Sequence, residues 1–403
     1  MNFMERQQVG DWLAAVSRTT FHPQRAGRRV TLKRIWGAAI ACAVVVGCGG
    51  GSPSATTTPR VTAAPSTVAM ADQQITFQSA GDLVYGTFVS PPGGGGAVRV
   101  PAAVIIAGSG PTDRDGNSGL ASGRIDTLKN FAQVLAAHGI ASIRYDKLGT
   151  GATGLGSFAS HPDDIDFGVY IDEAVAAYEY LRTRPEIDPR RIMILGHSEG
   201  ALIAMVVGTR LTGDAGPKAL VLAAPAGSPY LETIRRQLGE QYAVAVSQSL
   251  ISQATADSAL ADVDRVVDSL KQFGIYPAGD MTFADPALGQ IFSRGNERFL
   301  ADVERYVPAQ LAAMLPATLH VLILRGDKDQ QVKGDDAAQL LQALQSHDSV
   351  PESDSVPNAD HVFKDVPGTP NAAADYTNPA LPFSPEAAQK LGAFVDSVFG
   401  SAR

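Results

Sequence analysis

Five short, nearly continuous apolar runs constrain this chain more than any other feature: Ala102–Ala107, Ala141–Tyr145, Ile192–Leu195, Ala219–Ala224 and Leu319–Leu324. Each has the length of a strand, and little polar alternation marks one face as wet, which is the signature of strands covered on both faces of a parallel sheet. The segments between them carry helical spacing. Leu128, Phe131, Val134 and Leu135 share a stripe that Gly139 ends, and Ile171, Ala174, Val175 and Tyr178 repeat the pattern. Ser384-Pro385-Glu386 sets an N-cap, a first-turn proline and an acid where a helix start favours them. Ahead of the runs, Ile75–Phe77 and Leu83–Val89 flank an Ala80-Gly81-Asp82 turn and predict an antiparallel hairpin. The expected fold class is α/β, a mostly parallel central sheet with helices on both faces.

One interval breaks the rhythm. Residues 227–316, from Gly227 to Pro316, contain no strand-like run and far exceed an ordinary connection. Val266, Val267, Leu270 and Phe273 have helical spacing there, as do Phe299, Val303 and Tyr306 with Leu311 beyond. The interval predicts a helical cap inserted after strand 6, over the C-terminal edge of the sheet, where open α/β folds bind ligands.

The N-terminus is organised differently. Arg28, Arg29, Lys33 and Arg34 precede an apolar run from Ile35 to Val46 that ends at Gly47-Cys48. A positive segment followed by about a dozen apolar residues is the layout of an export signal and is short for a bilayer span. Residues 1–48 are therefore expected to be an N-terminal extension and lipoprotein-type signal, with translation starting near Val30. Cleavage before Cys48 would leave its thiol to carry lipid, placing the mature protein in the cell envelope on the periplasmic side. Residues 49–71 are rich in Gly, Ser, Thr, Pro and Ala and predict a flexible linker. With Cys42 lost alongside the signal and Cys48 acylated, no disulfide framework is expected. Residues 72–403 then form one large domain, and the 45% hydrophobic and 18% charged residues of the whole chain are ordinary values for a globular protein. A formal net charge of -8 argues against nucleic acid as a partner, since counterion-driven binding needs clustered Lys and Arg. The only membrane association expected is through the N-terminal lipid.

Gly196-His197-Ser198-Glu199-Gly200 directly follows the run Ile192–Leu195 and precedes an apolar helix, Ala201–Val207. A G-x-S-x-G sequence is weak in a chain with 40 glycines, but between a strand and a helix it marks a sharp turn that projects the serine hydroxyl. A serine hydroxyl is a poor nucleophile at neutral pH. It needs a base, and the base needs an acid to hold its tautomer and balance its charge. His347 lies in the polar run Ser346-His347-Asp348-Ser349 and is expected to face solvent, whereas His361 follows a short strand and precedes Val362-Phe363, which makes it the favoured base. Asp327 and Asp329, just after Leu319–Leu324, are candidate acids. The oxyanion of an acyl-transfer intermediate needs two N–H donors. The amide of Glu199 is one candidate, and the Gly108–Asn117 loop supplies the other. Glu199 as a side chain reads as an acid favoured at a helix N-terminus, and His197 as a locally packed residue. No His, Cys or carboxylate cluster has zinc-site spacing, so no metal and no cofactor are expected.

Three motifs together carry a resemblance: the loop Gly108-Ser109-Gly110-Pro111-Thr112-Asp113-Arg114-Asp115-Gly116-Asn117, the turn Asp146-Lys147-Leu148-Gly149-Thr150-Gly151, and the GHSEG elbow. From about Gln74 onward the chain resembles bacterial carboxylesterases of the α/β-hydrolase superfamily. The resemblance implies an α/β-hydrolase fold with Ser198, Asp329 and His361 as a catalytic triad. It also implies an oxyanion hole of the Ser109 and Glu199 amides, with Gly110 as a further candidate donor. Ala107 stands where many relatives have His, and Leu148 replaces an expected Arg. The expected function is cleavage of small to medium carboxylic esters through an acyl-enzyme. Serine aminopeptidase or acyl-thioesterase activity on the same fold is the alternative, and a non-catalytic lipid-anchored binding protein is the reading outside enzymology.

Overall fold

Among the residues that the computed structural model describes (71–92, 99–119, 121–279, 281–345 and 352–400), eight strands form one sheet. They are β1 Ala71–Ser79, β2 Asp82–Ser90, β3 Val100–Ile106, β4 Ala141–Tyr145, β5 Ile187–His197, β6 Ala219–Ala223, β7 His320–Gly326 and β8 Glu352–Val356. The expected signal, Cys48, all but the last residue of the expected linker, and His347 lie outside the described residues. The strand order is β1-β2-β4-β3-β5-β6-β7-β8. β2 runs antiparallel to β1 and β4, and every other neighbouring pair is parallel.

The reason the central runs look continuously apolar is visible in how their residues divide. Val104, Ile106, Ile192, Ile194, Leu220, Leu222 and Ile323 face one core, packed under α2 (Phe167–Thr183) and α3 (Glu199–Arg210). The intervening Ala103, Ile105, Met193, Leu195, Val221, Leu322 and Leu324 face a second core under α1 (Thr127–Ala137) and α9, the C-terminal helix Pro385–Phe399. Successive strand residues point to opposite faces, so covering both faces requires an unbroken apolar run. Full burial of each Ile or Leu stabilises the fold by roughly 1.5–3 kcal/mol relative to exposure. β5 begins five residues before its expected start, because Ile187 pairs with Val100 across a bulge while the polar Asp188–Arg191 stretch carries no apolar signal.

Between β6 and β7 the chain is helical, as expected: α4 Tyr230–Ser247, α5 Gln253–Phe273, α6 Glu297–Val303 and α7 Pro308–Met314. This cap has its own apolar interior, in which Leu231, Ile234 and Leu238 of α4 meet Ala259, Val263, Val266, Val267 and Leu270 of α5. Ser252 caps α5 by accepting the Thr255 N–H, and Gly274, at φ 69°, ends it. Phe273, which shares the helical spacing, is the last residue of the helix and is 65% exposed, whereas Val266 and Leu270 are buried. α8, Gly334–Ala343, follows β7 and holds the cap through its buried Asp336 carboxylate, which accepts from Arg236 at 2.8 Å and from the Gly227 N–H at 3.0 Å.

Glu173 of α2 is a buried acid whose carboxylate accepts the Leu148 N–H at 2.9 and 3.2 Å. Burial pushes its carboxyl up to about 8 from an ordinary 4.5. The folded state therefore binds this proton more tightly than the unfolded chain does. Stability from this group is complete below pH 4.5, falls as pH rises toward 8, and levels off beyond. Glu173→Gln is expected to gain on the parent across that window, by on the order of a few kcal/mol at its upper end. Thermal unfolding at stepped pH checks it, and a Tm difference that stays constant with pH refutes it.

Candidate active site

Ser198 stands between the end of β5 and the start of α3 with φ 54° and ψ −119°. A non-glycine residue with positive φ is strained by about 1–3 kcal/mol, and the surroundings must hold it there. Its N–H donates to Ala223 of β6 at 2.8 Å. The flanking glycines are required by contact. A Cβ at Gly196 would sit 2.0 Å from the Gly200 carbonyl oxygen, and one at Gly200 would sit 2.4 Å from that of Ile106. The turn thus presses α3 against β3 and β5 and leaves Ser198 half-buried at the sheet edge.

The C-terminal ends of two further strands converge nearby. After β7, Asp329 is buried, and its Oδ2 lies 2.9 Å from Nδ1 of the buried His361. Its Oδ1 accepts the N–H groups of Gln331 at 2.8 Å and Val332 at 3.0 Å. Burial alone would raise the Asp329 carboxyl. The neighbouring His361 and the two N–H donors outweigh it and hold the group below its usual value, hence ionised. Facing a carboxylate, Nδ1 is assigned the imidazole proton, which leaves Nε2 as an acceptor. Asp327, the other candidate acid, is exposed and uses its backbone N–H to bind Val356 at 3.0 Å. The two loops are stitched together as well, with Lys328 N–H donating to the Ala359 carbonyl at 2.9 Å.

His197 is a post under the His361 loop. Its Nε2 donates to the His361 carbonyl at 2.8 Å, and the two rings lie 5.0 Å apart between centroids. Burial, and secondarily the nearby His361, depress its ring to about 3, so it stays neutral. Asp360 is buried with Oδ1 accepting from Val362 and Lys364 and Oδ2 unpartnered, and burial lifts its carboxyl to about 6. The Ser198 hydroxyl makes no hydrogen bond to His361 among the described residues; the structure joins Asp329 to His361 directly, and His197, the residue before Ser198, to the His361 carbonyl.

The N–H groups of Ser109, Gly110 and Glu199 donate to no acceptor among the described residues. Ser109, Ser198 and Glu199 open into one pocket, whose apolar wall includes Leu202, Ile234, Pro308 and Val332, with Thr233 and Gln237 on the cap side. Sequence reasoning missed what surrounds Glu199. Its side chain is more than a helix N-terminal acid, since Oε1 receives Lys147 Nζ at 3.1 Å and Oε2 receives the hydroxyl of Tyr230, the first residue of α4, at 3.2 Å. The DRDGN segment also has a definite task. Arg114 donates to both oxygens of Asp146, at 2.8 Å through its N–H and 2.6 Å through its guanidinium, while Asp115 pairs with the buried Arg144 of β4 at 2.8 Å. The available signal was positional, since charged residues directly after the apolar run Ala141–Tyr145 must meet the loop of the neighbouring strand β3. Among the described residues no group of three or more His, Cys, Asp or Glu side chains could hold a metal ion.

Comparison with known proteins agrees with this architecture. The profile of a family described as serine aminopeptidase, S33 matches residues 120–354, a span that includes Ser198 and Asp329 and stops short of His361. No curated protein matches the sequence. Among solved structures, an esterase from Pyrococcus furiosus superposes with a TM-score of 0.50 at 14% identity over 85% of this chain and 97% of that one. A carboxyl esterase from Bacillus coagulans in complex with glycerol gives 0.49 at 16% identity over 82% and 100%. Dipeptidyl peptidase 4 from Porphyromonas gingivalis gives 0.45 at 16% identity over 72% of this chain, which spans only 32% of that longer protein. At such identities the likeness is one of fold.

The elbow contacts generate a stability prediction. Gly200→Ala drives a methyl group into the Ile106 carbonyl and is expected to cost at least about 2–3 kcal/mol. Urea unfolding measures it, and a midpoint equal to the parent's would show that α3 can slide away at no expense.

Proposed function

The chain belongs to the serine aminopeptidase S33 family, and we propose that it is a serine hydrolase that cleaves carboxylic esters through an acyl-enzyme. The observation that carries this reading is the buried Asp329–His361 bond of 2.9 Å, set beside a serine held at φ 54° on a strand-to-helix turn. In the proposed reaction Ser198 Oγ attacks the ester carbonyl as His361 Nε2 takes its proton. Asp329 balances the imidazolium that forms, and the amides of Ser109 and Glu199 receive the oxyanion. His361 then protonates the leaving alcohol, and water repeats the sequence to release the acid. The Ser198–His361 contact closes in the substrate complex, as such contacts commonly do.

The pocket supports an ester in preference to a peptide with a free amino terminus. Binding an ammonium group away from water requires a carboxylate to compensate it. Among the described residues Glu199 is the one acid lining the pocket, and Lys147 and Tyr230 already occupy it. The wall of Leu202, Ile234, Pro308 and Val332 suits a small to medium acyl chain or alcohol. The export signal and lipid attachment at Cys48 belong to the same proposal as its cellular setting, and a free Cys48 thiol on protein from its native membrane would refute that part.

Ser198→Ala is expected to abolish turnover of p-nitrophenyl acetate and butyrate and labelling by a fluorophosphonate, with cooperative unfolding preserved. Turnover that survives the substitution rejects the acyl-enzyme. In a panel of p-nitrophenyl esters, aminoacyl anilides and acyl thioesters, the esters are expected to give the highest kcat/KM, and a preference for anilides would return the assignment to the aminopeptidases.

A further inference from the structure

Lys147 is a buried cation that the mechanism above does not use. It directly follows Asp146, and the two consecutive residues hold the loop after β3 at two points. Asp146 takes Arg114, while Lys147 Nζ donates to the Gly108 carbonyl at 2.6 Å and to Glu199 Oε1 at 3.1 Å. The Tyr170 ring of α2 covers Nζ from a third side, 5.2 Å from its centroid. The Gly108 carbonyl belongs to the same peptide unit as the Ser109 N–H. In a trans peptide these two groups point in opposite directions, so fixing one fixes the other. Glycine on the N-terminal side of that unit leaves its rotation cheap, and an unrestrained peptide would turn readily. The unit also lies against the nucleophile, since a Cβ at Gly108 would be 3.2 Å from the Ser198 Cβ.

We infer that Lys147 is the positioning residue of the oxyanion hole: by holding the Gly108 carbonyl it keeps the Ser109 N–H turned toward the reacting carbonyl, and through Glu199 it ties together the two residues whose amides receive the oxyanion. The inference rests on the acyl-enzyme reading and deepens it. The ion pair of Lys147 with Glu199 carries no net charge, so the part of Lys147 is orientation and not added positive charge. The Tyr230 hydroxyl on the other Glu199 oxygen extends the same chain of bonds into the cap.

A donor that acts on the oxyanion stabilises the transition state and leaves the ground-state ester largely untouched. Lys147→Met is therefore expected to lower kcat on p-nitrophenyl butyrate by about 10- to 100-fold with KM within about twofold. Inhibition by a trifluoromethyl ketone, which forms a tetrahedral adduct on serine, should weaken by the same factor as kcat. Because Lys147→Met leaves the Glu199 carboxylate buried without its partner, the double variant Lys147→Met/Glu199→Gln is measured beside Glu199→Gln alone. The double variant, with no stranded charge, should fold and still show a further drop of about tenfold or more in kcat. A kcat within about twofold of its reference in these variants, or a lowered kcat with unchanged ketone affinity, overturns the inference. Ser198→Ala in the same series separates the two levels of argument, because turnover that persists there defeats the acyl-enzyme itself, whatever Lys147 does.

Discussion

Everything at the C-terminal edge of this sheet depends on how closely three backbone segments approach one another. The carbonyl of Gly200 occupies the space where a side chain at residue 196 would be, and the carbonyl of Ile106 does the same for residue 200. Contact at that range clamps the first turn of α3 against β3 and β5. The clamp over-determines the conformation of the residue between them, so Ser198 can stay at a positive φ that an L-residue would ordinarily leave. Removing the glycines would relax the turn and withdraw the hydroxyl from the edge.

Around that clamp the charged groups are arranged in closed pairs. Arg144 with Asp115, Arg114 with Asp146, Lys147 with Glu199 and Arg236 with Asp336 each bury one or both partners. Such pairs add little net stability, because desolvation consumes most of the attraction, but each is costly to break. Their contribution is therefore geometric: three of them fix loops that carry no regular secondary structure, and Arg236 with Asp336 ties α4 to α8. Asp329 and His361 make a further fixed contact, a hydrogen bond that leaves one imidazole nitrogen over.

Much of this was legible in the sequence. The five apolar runs fall on β3 to β7, because a strand buried on both faces has no freedom to be polar, and the stripes of α1 and α2 followed from the 3.6-residue period. The insertion was legible as a missing strand. The elbow could be read because chemistry and backbone sterics both constrain the same five residues. The choice between Asp327 and Asp329 could not be made from spacing alone, since both follow the same strand, and only the resemblance pointed to Asp329, whose carboxylate the structure places on His361. What stayed hidden were partnerships between residues distant in sequence. Glu199 with Lys147 and Tyr230 joins three separate segments, and no local pattern announces that. The polar first half of β5 was hidden for the opposite reason, since only Ile187 pairs there, with Val100, and the stretch up to Arg191 carries no apolar signal.

The α4–α5 half of the cap owns a separate apolar interior and is tied to the body by Arg236 reaching Asp336 and Tyr230 reaching Glu199, whereas Val303 of α6 and Ala312 of α7 belong to the apolar core beneath the sheet. A module built this way can be rebuilt without rewriting the proposed catalytic floor beneath it. Thr233 and Gln237 of α4 line the pocket outside the cap's apolar interior and can change under selection for a new substrate, while Leu231, Ile234 and Leu238 of the same helix keep the cap folded. In the proposed reading the fold divides its evolutionary labour, with chemistry held by the strand ends and diet left to the roof.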